Sequence, residues 1–238
     1  MPWVKDVNGV VQAWYSGNEV GNALADILYG TVNPSGRLSL TLPVRIEDIP
    51  SYPHLHSENG EIGYLEDLFV GYKHYQVKVI KPLFPFGCVR LELSDLRFLT
   101  QSLSYGLSYT KFAISNLVLR DVSSHDEHFS IKAAVKVANS GDIHGSCVVQ
   151  LYVSLPDVGV PTPLLQLKGF AKAKDLAPRA TQNVEISLNK YAISFWDAPQ
   201  NKWCAKAGVY HVFLGFNSEE LPLQCTFELK KSFAWSGL

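Results

Sequence analysis

Thirty residues from Trp14 to Pro43, WYSGNEVGNALADILYGTVNPSGRLSLTLP, carry a helix, its stop, a turn and a strand in immediate succession, and this order restricts the fold more than any other stretch. Asn18 is placed to cap the helix, its side-chain oxygen accepting from N–H groups of the first turn, while Glu19 sets a carboxylate at the positive end of the helix dipole. Val20, Ala23, Leu24, Ile27 and Leu28 recur at helical spacing and make one face apolar, with Asn22 and Asp26 on the other side. Gly30 suits the left-handed backbone just past the helix, and Asn33-Pro34-Ser35-Gly36 reads as a turn. Leu38, Leu40 and Leu42 then alternate with Ser39 and Thr41 as far as Pro43, the pattern of a strand with one buried face. Upstream, Met1 to Val4, Val7 and Val10 to Trp14 form an apolar run that predicts a buried parallel strand feeding the helix. One strand–helix–strand unit cannot cover both of its own faces, so the pattern predicts a piece of a larger α/β domain, with further chain before Met1.

From Lys111 onward the apolar spacing changes from helical to alternating. Phe112, Ile114, Leu117 and Leu119; Phe129, Ile131, Ala133, Val135 and Val137; Val149, Leu151 and Val153; Val184, Ile186 and Leu188; and Val209, Val212 and Leu214 predict successive short strands bounded by Gly, Pro, Asn or Asp. That is the pattern of a β-sandwich, with Trp196 and Trp203 filling its core or rim. Between the two patterns, Val44 to Lys81 holds Pro50, Pro53, Gly60, Gly63 and a charged segment from Glu58 to Glu66, and predicts a long surface strap with short extended pieces. His54, His56, Tyr64, Tyr72, His74 and Tyr75 of this strap serve either as packing and hydrogen-bonding groups or as the lining of a sugar subsite.

A formal net charge of −1 gives no basic surplus for binding a nucleic acid or an anionic membrane. No apolar run is long enough to span a bilayer. Cys88, Cys147, Cys204 and Cys225 are too scattered for a disulfide framework or a C-x-x-C ligand pair, and read as free, mostly buried thiols. His54 and His56 share one face of an extended segment, a weak metal signal, so neither a metal nor a cofactor is expected. No H-E-x-x-H, G-x-S-x-G or glycine-rich phosphate loop occurs.

The run from Gly17 to Pro43 resembles the pattern G-x-E-x-G-x-A-x-A-D-x-L-x-G-x-x-N-P-S-G-x-L-x-x-T-x-P of glycoside hydrolase family 3, which includes many fungal and bacterial β-glucosidases. Gly63-Tyr64 through Phe69-Val70-Gly71-Tyr72-Lys73-His74-Tyr75 resembles that family's Y-x-E-G-x-F-V-G-Y-R-Y-Y, and Leu83-Phe84-Pro85-Phe86-Gly87 its L-F-P-F-G. Val137-Ala138-Asn139-Ser140-Gly141, Val149 to Val153, Leu167-Lys168-Gly169-Phe170 and Gly208-Val209-Tyr210 resemble motifs of the family's fibronectin type III-like module. The resemblance implies an α/β then all-β architecture: residues 1–87 as the C-terminal part of a flavodoxin-like α/β sandwich domain with its strap, and residues 105–238 as a fibronectin type III-like β-sandwich. Residues 88–104 divide what the family writes continuously as F-P-F-G-Y-G-L-S-Y-T. This 17-residue span is expected to be a retained intron, with a donor-like Gly-Cys-Val start, a branch point at Leu99-Thr100 and a terminal AG from Ser104. The alternative is an amphipathic insert carrying Val89, Leu91, Leu93, Leu96 and Leu99.

Retaining glycosidases use two carboxyl groups about 5 Å apart across the sugar. The resemblance places both upstream of this sequence, so no residue here is expected to inherit either catalytic role. Glu19, with Asp26 seven residues later on nearly the same helix face, reads instead as a helix-start residue. The implied function is the C-terminal part of an enzyme removing terminal non-reducing β-D-glucosyl residues from cellobiose and other β-glucosides or oligosaccharides. A homo-oligomer of the full-length enzyme and a secreted or cytoplasmic location are compatible with it. The alternative is a non-catalytic module whose sandwich binds a carbohydrate or a protein through exposed Trp and Tyr.

Overall fold

The alternating segments after Lys111 fold as strands because each buries one row of side chains against a facing sheet. The computed structural model describes residues 1–7, 9–55, 60–88, 108–123 and 128–237. Its strands are β1 (Phe112–Ser123), β2 (Ser130–Asn139), β3 (Gly145–Ser154), β4 (Gln166–Leu176), β5 (Thr181–Asn189), β6 (Phe195–Asp197), β7 (Lys202–Ala205), β8 (Gly208–Gly215), β9 (Leu223–Leu229) and β10 (Phe233–Trp235). They form a three-stranded sheet in the order β1-β2-β5, a four-stranded sheet β4-β3-β8-β9 and a small sheet β10-β7-β6. Between the two larger sheets lie Ile131, Ala133, Val135 and Val137 of β2, Val184, Ile186 and Leu188 of β5, Cys147, Val149, Leu151 and Val153 of β3, and Tyr210, Val212 and Leu214 of β8. The expected sandwich is therefore present. Strands β4, β9 and the small sheet are additions to it, in segments whose charged or aromatic residues mask the alternation. Trp196 and Trp203 sit on the small sheet at the rim, paired across β6 and β7 with ring centroids 5.5 Å apart.

Two helices precede the sandwich, α1 (Val20–Leu28) and α2 (Tyr72–Lys78). Helix α1 begins at Val20 with Glu19 at the cap, and no side chain caps it. The Glu19 carboxylate accepts instead from Asn22 Nδ2 at 2.6 Å, so Asn18 does not have the capping role expected of it. At the other end Gly30 adopts φ +81°, the left-handed stop anticipated from the sequence. No residue of α1 is fully buried, and Leu28 is 66% exposed.

The two strands expected around α1 do not form. Residues 2–6 make a short 3-10 turn, and residues 10–14 carry no ladder. A strand is defined by its partner, and no described residue offers these a parallel one. Leu38 and Leu42 do face a small second core with Val4, Phe84 and Cys88, but they reach it by antiparallel pairing with residues 84–88. Leu42 N–H donates to Phe84 O at 2.9 Å and Gly87 N–H to Leu38 O at 2.8 Å. The segment Asn33-Pro34-Ser35-Gly36 likewise carries no turn, and the Asn33 side chain is engaged in tertiary bonds. The strap, expected as a surface loop with short extended pieces, contains helix α2; its apolar groups are aromatic and β-branched, a composition that masks helical spacing. Residues 89–104, nearly all of the proposed insertion, and His56 lie outside the described residues. No helix among the described residues is long and apolar enough to cross a membrane.

Where β2 ends, Asn139 is 1% exposed and satisfies its whole amide. Its Nδ2 donates to Ile143 O and Leu176 O, and its Oδ1 accepts from Thr110 Oγ1 at 2.7 Å and from Gly141 N–H. This one side chain ties the start of β1, the β2–β3 connection and the end of β4 together. Replacing Asn139 with Ala should leave these groups unpaired and lower the unfolding free energy by roughly 3 kcal/mol. Urea denaturation would read this as a lower midpoint at unchanged slope; a loss below about 1 kcal/mol would contradict the role given to Asn139.

Candidate functional site

The densest chemistry among the described residues lies where the N-terminal third meets the outer face of β3. Side chains alternate along a strand, so Gln150 and Tyr152 point away from the sandwich core while Val149 and Leu151 point into it. Both outward residues are nevertheless buried, at 4% and 0% exposure. Tyr152 Oη donates to Gln150 Oε1 at 2.6 Å, and the Tyr152 ring meets the edge of Tyr72 at 5.7 Å. Tyr72 also packs on Phe86 at 5.1 Å, and its hydroxyl accepts from Leu167 N–H at 2.8 Å. Gly87 crosses directly above Gln150 with φ +85°, where a Cβ would lie 2.4 Å from the amide nitrogen. Only glycine fits there.

Arg37 is the polar centre of this contact. Its guanidinium donates to Val148 O at 2.9 Å and to Gly87 O at 3.4 Å, and approaches Cys147 Sγ at 3.6 Å. It lies 5.8 Å from the centroid of the Phe216 ring. Burial lowers its pKa, an effect opposed by Cys147 and by the Glu220 carboxylate. Burial also pushes the Cys88 thiol up to about 11, against the pull of Arg37. Such a group is a thiol in the folded chain throughout neutral pH; the stability linked to it is complete below about pH 9 and is lost as pH rises through 11. Around Arg37, Asn33 accepts at Oδ1 from Tyr109 N–H and Ser108 Oγ and donates to His144 O. Tyr109 Oη donates to Ile27 O, and Lys172 Nζ to Ser35 Oγ. On the far side the 216–220 turn, pinned by Asn217, receives Gln76 Nε2 at Ser218 O and offers Ser218 N–H to Phe86 O.

The candidate residues of the strap separate cleanly. Tyr72 and Tyr75 are packing groups, the latter 5% exposed, whereas Tyr64 is 87% exposed. His54 and His74 come together with Glu66, Phe69 and Lys78 at a cavity of about 440 Å3. Burial and Lys78 lower the His74 pKa, and Asp48 opposes them. Asp48 is itself held below the usual carboxylate range by its hydrogen bond from Arg45, at 2.9 Å. Glu19 is bonded to Asn22 at the start of α1, apart from these groups. All four cysteines are free, Cys88 and Cys147 buried and the others half-buried. Sequence reasoning missed Arg37 and Gln150. The signal was available: each is a long polar side chain inside an otherwise apolar run, R-L-S-L-T-L and V-V-Q-L-Y-V.

Two family models match this chain: the glycosyl hydrolase family 3 C-terminal domain over residues 1–72 and the fibronectin type III-like domain over residues 147–218. A probable β-glucosidase I of Aspergillus clavatus is 41% identical across the whole chain, and a putative β-glucosidase of Schizosaccharomyces pombe 37%. The chain spans only 27% and 26% of those proteins, about a quarter of their length. Among solved structures, a β-glucosidase from Kluyveromyces marxianus in complex with glucose superposes with a TM-score of 0.85 at 40% identity, covering 100% of this chain and 26% of that one. β-Glucosidase 3B from Thermotoga neapolitana in complex with glucose gives 0.83 at 28% identity, covering 99% and 30%.

If Arg37 fastens the N-terminal third to the sandwich, Arg37→Ala should leave two carbonyls without their donor and cost roughly 2 kcal/mol. Hydrogen exchange gives the local readout: the Leu38, Leu42 and Gly87 amides should exchange faster, with the β2–β5 ladder unchanged. Uniform acceleration across both regions would show that Arg37 belongs to the global core instead.

Proposed function

The chain belongs to glycoside hydrolase family 3, and from this we propose that it is the C-terminal part of a β-glucosidase-like enzyme that removes terminal non-reducing β-D-glucosyl residues with retention. In this reading residues 1–87 complete the α/β sandwich domain, residues 105–238 are its fibronectin type III-like domain, and residues 88–104 interrupt the junction. The 238 residues contribute neither the nucleophile nor the acid/base. Their work is to hold the α1 helix and the strap in fixed positions against a rigid β-sandwich. The substrate of the whole enzyme is a β-glucoside or short oligosaccharide.

The observation that carries this reading is the joint between the two parts. Asn33, Arg37, Tyr72, Phe86 and Gly87, drawn from the three segments that resemble the family, converge on β3 and its neighbours. Retaining glycoside hydrolysis requires two carboxyl groups facing each other across a sugar. Four of the described carboxylates are engaged with neighbouring side chains instead: Glu19 with Asn22, Asp48 with Arg45, Asp142 with Arg179 and Asp197 with Gln200.

The purified chain should show no turnover of aryl β-glucosides beyond the buffer blank. Measurable hydrolysis that disappears on replacing one of its carboxylates would overturn the proposal. A second reading, a free-standing carbohydrate-binding sandwich, draws on the 44% exposure of Trp196. Calorimetry with cello-oligosaccharides separates the two, since the first reading expects no heat.

A further inference from the structure

Where α2 ends it faces the turn between β8 and β9, and a cavity of about 460 Å3 lies between them, lined by Tyr75, Gln76, Val79, Ile80, Lys81 and Glu219. Hydrogen bonds fix both of its walls. Gln76 Nε2 donates to Ser218 O at 3.3 Å, Ser218 N–H to Phe86 O at 3.0 Å, and Glu219 N–H to Asn217 Oδ1 at 2.9 Å. The helix end and the turn are therefore held in register across the cavity, and its shape does not depend on loose side chains.

Two of the lining residues carry polar atoms that the fold leaves unmet. Tyr75 is 5% exposed and its Oη has no hydrogen-bond partner among the described residues; the buried Gln76 Oε1 has none either. Because Nε2 is committed to Ser218, Oε1 is the free end of that amide and can only accept. Unmet buried groups cost stability, and folded chains keep few of them. Val79 adds a second cost at the same place. It is β-branched, 89% exposed and held at φ +55°, a backbone that Gly or Asn would adopt with less strain. What a valine supplies there, and a glycine would not, is an apolar wall continuous with Ile80. Glu219 brings a carboxylate to the same cavity, and the exposed Lys81 stands there on a long stem that is free to swing aside. Burial raises the Tyr75 pKa and the Asp48 carboxylate adds to the rise, so a second negative charge acts on this side chain. Acceptors and negative charge beside an apolar wall call for a cation with several donors and an apolar stem. A guanidinium meets this better than an ammonium, since its planar fork can serve acceptors on different residues at once and is more weakly hydrated.

We propose that the cavity between the end of α2 and the β8–β9 turn binds a guanidinium group on an apolar stem, as in an arginine side chain. The guanidinium donates to Gln76 Oε1, Tyr75 Oη and the Glu219 carboxylate, while Val79 and Ile80 cover the stem. Free arginine and an arginine residue of a polypeptide carry the same group, and two probes tell them apart. The 238-residue chain is titrated with free arginine and with an end-blocked Gly-Arg-Gly peptide at constant ionic strength, and amide proton–nitrogen correlation spectra are recorded. Saturable shifts of the Gln76 side-chain amide and the Glu219 backbone amide are expected, with resonances of the β2–β5 ladder unmoved. Shifts with the peptide alone assign the site to a polypeptide partner; shifts with free arginine assign it to a small ligand. In either case Tyr75→Phe and Glu219→Gln should each weaken binding roughly tenfold. Thermal unfolding without ligand separates this from a structural role: Tyr75→Phe should leave Tm no lower than in the parent chain, because the hydroxyl it removes has no partner there. No saturable shift with either probe, equal affinity for a Gly-Lys-Gly peptide, or binding that survives in both variants would refute the proposal.

Discussion

The architecture depends on the burial of both faces of one strand. In a two-sheet sandwich the outer face of each sheet ordinarily meets water, so outward positions are polar and the strand alternates. Strand β3 departs from this, since Val149 and Leu151 are inside the sandwich and Gln150 and Tyr152 are covered from the other side. Covering a polar row requires partners for it. Tyr152 Oη donates to Gln150 Oε1, and the backbone above them is brought close by Gly87, whose lack of a side chain leaves room. Arg37, Tyr72, Phe86 and Gly87 of the N-terminal third are placed so that this face is sealed.

The seal combines apolar packing with a small number of polar bonds, and magnitudes identify their separate roles. Burying an aromatic side chain such as Phe84 contributes roughly 2 kcal/mol, and the second core around it is small. Direction comes from Arg37 and Asn33, whose bonds to backbone carbonyls and amides accept only one placement. A charged guanidinium in such a place would be costly if unpaired; two carbonyls, the Phe216 ring and the Glu220 carboxylate compensate for the lost water. The surrounding thiols are kept protonated by burial, so Arg37 does not meet a thiolate at neutral pH.

Exposure elsewhere follows from the same arrangement. Helix α1 has an apolar stripe in its sequence but no fully buried residue, and is bonded to the sandwich side through the Tyr109 hydroxyl at Ile27 O. The strap docks by its end, where Tyr72, Tyr75 and Gln76 are held, while Tyr64 and Leu65 remain exposed. The family membership accounts for this asymmetry if those surfaces serve the larger enzyme, as proposed.

The sequence by itself determined the elements whose signals are local. Strands β1, β2, β3, β5 and β8 follow from two-residue alternation, α1 from its helical spacing, and its stop from Gly30, because each pattern reports a face that any neighbour would bury. Its motifs also determined the family, since N-P-S-G, F-V-G-Y and F-P-F-G combine unusual residues at fixed distances. Tertiary structure decided what depends on partners. The apolar residues 10–14 carry a strand signal without a ladder to join, and Leu38 to Leu42 pairs antiparallel with residues 84–88 rather than in a parallel sheet. Asn33 and Glu19 read as turn and dipole residues, yet their side chains bond to whichever donor the fold brings near: Tyr109 N–H for the one, Asn22 Nδ2 for the other. Arg37 carries no periodic signal at all. Its role arises only when segments 50 or more residues apart are packed together, and no local pattern encodes which backbone carbonyl will lie opposite.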